Sequence, residues 1–170
     1  MTRLLLAALA VAPAEVRLDA EIDPTAYALK GYSLHAGIEW ERWRLDLGVF
    51  AIAVPQFIHG NQGFDSSFDG YGAKLQRFLF DEPKGAMVGV EGGVNRQLVQ
   101  LSGTEAASRR TQYSIGVHAG WRFMLGAGFY ATPWLGLSYS SNAGDVTVGG
   151  RTFKNSPWQV FPAVHFGRRF

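Results

Sequence analysis

The feature that most constrains this 170-residue chain is an apolar–polar alternation of period two, which recurs along most of the sequence. Between Tyr32 and Trp40, for example, every second residue is apolar and the residues between are Ser, His, Gly and Glu. Because successive side chains of a β-strand point to opposite faces, each such run predicts a strand with one apolar and one polar face. Eight runs share the pattern: 16–22, 32–40, 43–51, 71–76, 88–95, 113–123, 131–139 and 158–167.

The connections between these runs alternate between short and long. The short ones are Glu41-Arg42, 81–85 and 125–128, and the long ones are 23–30, 55–69, 101–110 and 140–157. Short turns at one end and long loops at the other are typical of an up-and-down barrel. The sequence therefore predicts an all-β chain whose eight antiparallel strands close into a barrel.

The composition excludes several classes of function. The chain has no cysteine, so a disulfide framework, a zinc ribbon and a thiol nucleophile are excluded. Its 16 basic and 14 acidic residues give a net charge of +2, which offers no basis for a nucleic-acid partner. The longest clean apolar run, Leu47 to Pro55, is far shorter than the roughly 20 residues of a spanning helix.

The N-terminus has the features of a secretory signal peptide. Arg3 precedes an apolar run from Leu4 to Val11, and Ala12-Pro13-Ala14 places small residues at both positions that signal peptidase reads. Cleavage after Ala14 would leave residues 15–170 as a single domain outside the cytoplasm. The alternative is an apolar N-terminal strand or helix.

The distribution of aromatic residues indicates which face of the barrel is outside. A barrel of eight strands has an interior just wide enough for ordinary side chains, so the large apolar set fits better outside. Aromatic residues also gather at strand ends, as two girdles at membrane interfaces would. Those near the short turns are Trp40, Trp43, Trp121, Phe123 and Phe166; those near the long loops are Tyr32, Tyr71, Tyr113, Tyr139 and Trp158. The alternative is a soluble secreted barrel with an apolar ligand inside.

The eight alternating runs, the two girdles and the terminal pattern Phe166, Arg168, Phe170 resemble the small eight-stranded outer-membrane barrels of Gram-negative bacteria, the class of OmpX, OmpW and the OmpA membrane domain. The resemblance implies a monomer in the bacterial outer membrane, in contact with membrane lipid and lipopolysaccharide. It also implies that Phe170 is a signal for the outer-membrane assembly machinery. Arg168 departs from the apolar register of that signal.

The predicted lumen carries charges of both signs. Its ionisable residues are Arg17, Asp19, Glu21, His35, Glu39, Arg44, Asp46, Lys74, Glu91, His118, Arg122, His165 and Arg169. Because an unpaired buried charge is costly, we expect these groups to pair into a polar network that fills the lumen. Two alternatives are a narrow pore and a zinc site formed by the three histidines. We expect no cofactor and no metal.

One segment invites an enzymatic interpretation. The run from Tyr139 to Ala143 resembles the motif of PagL-type lipid A deacylases, with Ser141 at the position of the catalytic serine. Tyr139 stands where that motif has its histidine, and no Asp or Glu follows Asp145 to orient a base. We therefore expect no enzymatic activity.

The long loops are the remaining candidates for function. Segment 55–69 contains three phenylalanines, so it either covers the barrel mouth, as we expect, or meets a partner. Gly149-Gly150 predicts a hairpin that extends the last two strands above the membrane and could pair with an unknown extracellular partner. Five cations lie near or beyond the outer girdle, where they either meet lipopolysaccharide phosphates or stay solvated: Lys30, Arg109, Arg110, Arg151 and Lys154.

Overall fold

The chain folds as a closed antiparallel barrel of eight strands, as the alternation predicts. The structure, a computed structural model, describes residues 15–80 and 82–170; the predicted signal peptide, residues 1–14, lies outside them. The barrel strands are β1 (Val16–Ile22), β2 (Tyr32–Trp40), β3 (Trp43–Val54), β4 (Phe64–Phe78), β5 (Gly85–Leu101), β6 (Ala107–Gly126), β7 (Phe129–Ser140) and β10 (Trp158–Arg169). The other elements are two short helices, α1 (Pro24–Ala28) and α2 (Gln56–His59), and two short strands, β8 (Val146–Val148) and β9 (Arg151–Phe153).

The barrel has a turn end and a loop end. At the turn end, short connections such as Glu41-Arg42 join consecutive strands. At the loop end lie α1, α2, the segment 102–106 and the β8–β9 hairpin. Neither helix among the described residues is long and apolar enough to cross a membrane.

The barrel is apolar outside and charged inside. Apolar side chains such as Leu47, Val90, Ile115 and Leu135 are exposed on the outer surface. Charged and polar side chains of the opposite strand face are buried in the lumen. A closed ring satisfies the backbone hydrogen bonds of its strands internally, so this outer surface suits a hydrocarbon environment.

The wall is much taller on one side than on the other. Strand β6 has 20 residues and β5 has 17, whereas β1 has only 7. A spanning strand needs about 9–11 residues, so β4 to β6 extend well past the loop end of the other strands. The predicted loops 55–69 and 101–110 are therefore too long: residues 64–69 and 107–110 are strand. The strands continue there with polar residues on both faces, because no lipid surrounds this part of the wall and the outer face need not be apolar.

The weakest junction of the ring is between β1 and β10. Their ladder has four residue pairs, from Asp19–Arg169 to Ile22–Phe166. It ends because α1 begins at Pro24, after Asp23 caps the helix by accepting a hydrogen bond from the Thr25 N–H. Above that point β10 pairs with β7 alone.

The β8–β9 hairpin forms as Gly149-Gly150 predicts, but it does not extend the barrel strands. It is a separate two-stranded sheet that packs on the tall wall. Val148 and Phe153 of the hairpin form a buried apolar cluster with Phe64 and Val99. Burial of these side chains explains why the hairpin folds back onto the tall wall instead of standing free in solvent.

A polar clip ties the hairpin segment to the α2 loop. The backbone N–H of Lys154 donates to Asn61 Oδ1 at 2.7 Å, and Asn61 Nδ2 donates to the Lys154 carbonyl at 2.9 Å. Arg151 donates to the Gln62 carbonyl at 3.0 Å. We call the joined segments 55–63 and 141–157 the cap. The expected cover over the mouth is thus built from two loops and not from segment 55–69 alone.

Candidate functional site: the barrel lumen

Arg44 is the centre of a charged network that fills the turn end of the lumen, and we call this network the plug. Its guanidinium donates two hydrogen bonds to the Asp19 carboxylate, at 2.9 and 2.6 Å, and a third to Gln76 Oε1 at 2.9 Å. Oxygens of Glu21 and Asp46 lie 3.2 and 2.8 Å from it. Three carboxylates around one guanidinium offset the cost of burying the charge.

Arg122 is the second cation of the plug. Its guanidinium forms an ion pair with Glu39 and lies 3.3 Å from Glu21. The ring of Tyr130 stacks on the guanidinium, with the ring centroid 3.9 Å from Cζ. The arginine therefore connects β6 to β1, β2 and β7 through one side chain that is fully buried.

The three lumen histidines contact carboxylates. His35 Nδ1 lies 2.8 Å from Asp46, and His165 Nδ1 lies 2.9 Å from Glu21. The rings of these two histidines are 4.6 Å apart, whereas His118 contacts Gln76 and Glu91. Among the described residues, no group of three or more His, Cys, Asp or Glu side chains is arranged to hold a metal ion.

The remaining predicted lumen cations differ in position. Arg169 joins the plug through Glu39, at 2.8 Å. Lys74 lies 3.7 Å from Asp46 and 4.8 Å above the ring of Trp134. Arg17 does not join the plug: it pairs with Glu15 at 2.6 Å at the edge of the turn end. Residue 17 lies at the open edge, where water reaches its guanidinium.

The loop end of the lumen combines polar side chains with more apolar side chains than the sequence predicts. A cavity of about 440 Å³ lies above the plug. Its walls include four large apolar side chains, Phe50, Ile52, Phe68 and Phe161, and the charged side chains of Asp46, Lys74 and Glu91. The apolar part of the lining arises because the apolar–polar alternation lapses at 49–54, where both faces of β3 are apolar. That lapse is the sequence signal for an apolar cavity inside a barrel.

Trp134 lies where the plug meets the cavity, and Asp46 and His165 line the cavity beside it. It projects inward from β7, and its ring contacts His118, His165 and Phe161 at centroid distances of 5.6, 5.5 and 5.9 Å. The alternation places Trp134 on the lumen face, but only the folded barrel shows that it forms part of the cavity floor.

The predicted girdle residues lie on the outside of the barrel. Tyr32, Tyr71, Tyr113, Tyr139 and Trp158 are exposed near the loop end, and Trp121, Phe123 and Phe166 are exposed toward the turn end. Trp40 and Trp43 are half-buried and face each other across the first turn. Phe170 is also exposed, and its N–H donates to the Leu18 carbonyl at 2.9 Å.

Three of the five outer cations are engaged within the loop end. Arg110 donates to Gln97 at 3.0 Å, Arg151 donates to the Gln62 carbonyl, and Lys154 pairs with Asp145 at 2.7 Å. The hydrogen bond from Lys154 lowers the pKa of Asp145 below its ordinary value. Lys30 and Arg109 are exposed.

The segment with the deacylase-like serine has a structural contact. The Ser141 hydroxyl accepts a hydrogen bond from the backbone N–H of Tyr113 at 3.2 Å, where β6 meets the end of β7. Tyr139 beside it belongs to the outer girdle and packs edge to face against Trp158, with ring centroids 5.3 Å apart.

Comparison with known proteins supports the fold. No family model matches the chain, and no curated protein matches it in sequence. Neisserial surface protein A is similar in structure, with a TM-score of 0.55 and 16% identity over 91% of this chain and 94% of that one. The N-terminal barrel domain of Pseudomonas aeruginosa OprF gives a TM-score of 0.44 and 14% identity, over 91% and 96%. The chain has the fold of the small eight-stranded outer-membrane β-barrels.

Proposed function

We propose that this chain is an integral protein of the bacterial outer membrane that conducts no ions and acts through its cap. The observation that carries the proposal is the plug. Arg44 and Arg122 are fully buried and connect carboxylates of β1, β2 and β3 across the lumen. At the turn end the side chains of this network occupy the narrow interior of an eight-stranded barrel, so we expect no continuous water path there.

Planar-bilayer recording tests the closed lumen. We expect the refolded protein to give no discrete conductance at high protein load. A variant with residues 142–156 replaced by a short glycine–serine turn should be equally silent, because the plug and not the cap closes the barrel. Stepwise currents from the unaltered protein would contradict the proposal and favour a narrow pore.

The cap supports a role in contact with another molecule. Phe57 of α2 is 85% exposed, and Ile58 beside it is 57% exposed, although the loop that carries them is fixed by the Asn61 clip. An exposed apolar side chain on an ordered loop is suited to a partner surface. Lys30 and Arg109 in addition offer charge to lipopolysaccharide phosphates, and Phe170 offers the terminal aromatic ring that the assembly machinery would recognise.

Site-specific photo-crosslinking in intact cells tests the role of the cap. With a photoreactive phenylalanine analogue at position 57, we expect one discrete adduct. The same analogue at Lys84, in a turn at the other end of the barrel, is the control and should not give that adduct. An identical pattern from both positions would contradict an interaction specific to the cap.

A further inference from the structure

We propose that the cavity above the plug binds a single apolar chain of a membrane lipid, which enters sideways through the wall between β10 and α1. The volume of about 440 Å³ is within the range of about 300–1,000 Å³ usual for ligand pockets. Aromatic and branched side chains form much of its walls, and the ring of Trp134 forms part of its floor. The apolar part of this surface suits a hydrocarbon chain, whereas the charged side chains of the lining, Asp46, Lys74 and Glu91, are shared with the lumen network.

The direction of backbone groups shows where the wall is open. The Phe170 N–H donates toward β1, and the Arg169 N–H donates toward the β7 side, to Gly128. Because backbone groups alternate sides along a strand, the even-numbered residues of β10 are directed toward β1. Val160, Pro162 and Val164 therefore face the side where β1 has already ended.

Two prolines fit this opening. Pro162 has no N–H, so it leaves no unpaired donor on the open edge of β10. Pro24 follows the last ladder pairs on the other side and begins α1 instead of continuing β1. Unpaired backbone donors are costly next to lipid, and the edge carries one fewer of them.

Helix α1 lies in the opening but is bonded to one side only. The Ala53 N–H of β3 donates to the Leu29 carbonyl at 3.0 Å, which fixes the end of α1 to β3. Within the described residues, no backbone hydrogen bond joins α1 to the open edge of β10. The backbones of α1 and β10 are close at this point, but in the described residues no hydrogen-bonded ladder joins them.

The cavity reaches this opening. Its lining includes Val160 of β10 and Ala51 of β3, both of which belong to the outer, lipid-facing set of their strands, together with Leu29 of α1. Val160 is 67% exposed on the outside of the barrel. An apolar surface thus runs from the membrane face to Trp134, and the membrane is the source of the chain.

Fluorescence quenching of Trp134 tests the proposal. The protein used keeps Trp134 and carries Phe at positions 40, 43, 121 and 158, and it is refolded in liposomes that contain phosphatidylcholine brominated in one acyl chain. Phe50→Gln makes one cavity wall polar, and Phe50→Leu is the matched apolar control. Lipid outside the barrel quenches all three proteins equally, so a difference between them reports a chain inside the cavity.

We expect stronger quenching in the parent and in Phe50→Leu than in Phe50→Gln, by at least twofold. A second probe, 9,10-dibromostearic acid added to plain liposomes, should quench Trp134 saturably, with the half-saturating concentration raised at least tenfold by Phe50→Gln. If residue 50 affects quenching by the fatty acid but not quenching by the brominated phosphatidylcholine, the membrane lipid is not the source of the bound chain. Equal quenching of all variants by both probes would overturn the site.

Two controls keep the test decisive. A heat-dependent shift in gel mobility shows that each variant is folded. If replacement of the four surface tryptophans prevents insertion, the difference in quenching between the full chain and Trp134→Phe supplies the same measurement. Neither probe measures conductance or an interaction of the cap. The outcome of this test is therefore independent of the proposed function.

Discussion

At the scale of single residues, glycines make room for the plug. A Cβ at Gly37 would lie 2.4 Å from Asp19 Oδ2 and 2.6 Å from Arg44 Nε. A Cβ at Gly167 would lie 2.5 Å from the Tyr130 hydroxyl. The narrow lumen therefore has room for large side chains because the residue paired with each of them on the neighbouring strand is a glycine.

Gly37→Ala tests this close packing. The added methyl must displace the buried Arg44–Asp19 pair, so we expect a loss of about 1–3 kcal/mol in the free energy of unfolding. Gly144→Ala is the matched control, because nothing lies within 4 Å of its added Cβ. Urea titration in liposomes measures both, and equal stability of the two variants would contradict tight packing at Gly37.

The buried arginines provide a second prediction. Arg122→Met leaves Glu39 and Glu21 with one fewer cation, and breaking a buried pair in this way costs about 3–5 kcal/mol. The control is Arg96→Met, which removes an ion pair with Asp69 that is exposed to water. An exposed pair is worth at most about 1 kcal/mol, so the control should unfold near the parent's urea midpoint. A similar loss in both variants would show that the plug is not desolvated.

The outer face provides a third prediction. Val117 lies mid-strand on β6, is exposed, and pairs with Val90 and Leu137. Val117→Arg places a charge in the hydrocarbon region, and we expect it to cost about 2–4 kcal/mol. Val117→Leu should change stability little. If the arginine variant folds in bilayers as stably as the leucine variant, residue 117 does not face lipid.

At the scale of elements, the sequence predicts the presence of strands better than their length. The eight runs all became barrel strands, because period two is a local property that lipid and lumen impose on every spanning strand. The ends of β4 to β6 were not predictable in the same way. Beyond the membrane no environment fixes which face is apolar, and the strands continue because they pair with one another.

The β8–β9 hairpin shows the same limit. Gly149-Gly150 predicts the turn locally, but the surface that the hairpin covers comes from Phe64 and Val99, which lie more than 45 residues earlier. Contacts between residues so distant in the chain leave no periodic trace in the sequence. The hairpin was therefore predictable, whereas its place in the cap was not.

Asn61→Ala tests how the cap is held. The substitution removes both hydrogen bonds to the backbone of Lys154, so we expect the segment 141–157 to be cleaved at least severalfold faster by trypsin at Arg151 and Lys154. Gln62→Ala is the control, because Arg151 contacts the backbone carbonyl of Gln62. The barrel itself should keep its heat-dependent gel mobility. Equal cleavage in the two variants would show that Asn61 does not hold the cap.

At the scale of the whole molecule, the lumen divides into two parts that the sequence predicted unequally. The residue types of the plug were predictable, since the alternation of side chains along each strand assigns Arg44, Asp19 and Glu21 to the lumen face. Their pairing did not, because it depends on strand register around a closed ring. The apolar cavity was not predicted, since Phe68 lies in a predicted loop and the alternation that assigns an inward face lapses at 49–54.

The unequal height of the wall has a consequence for how molecules reach the mouth. The tall strands β4 to β6 stand between the cavity and the surrounding water on one side, whereas the low side at β1 faces the bilayer. Arrival from the low side is a two-dimensional search, so occupancy follows the mole fraction of a ligand in the outer leaflet and not its concentration in water. Two amphiphiles of equal affinity for the pocket would then be ranked by their partition coefficients.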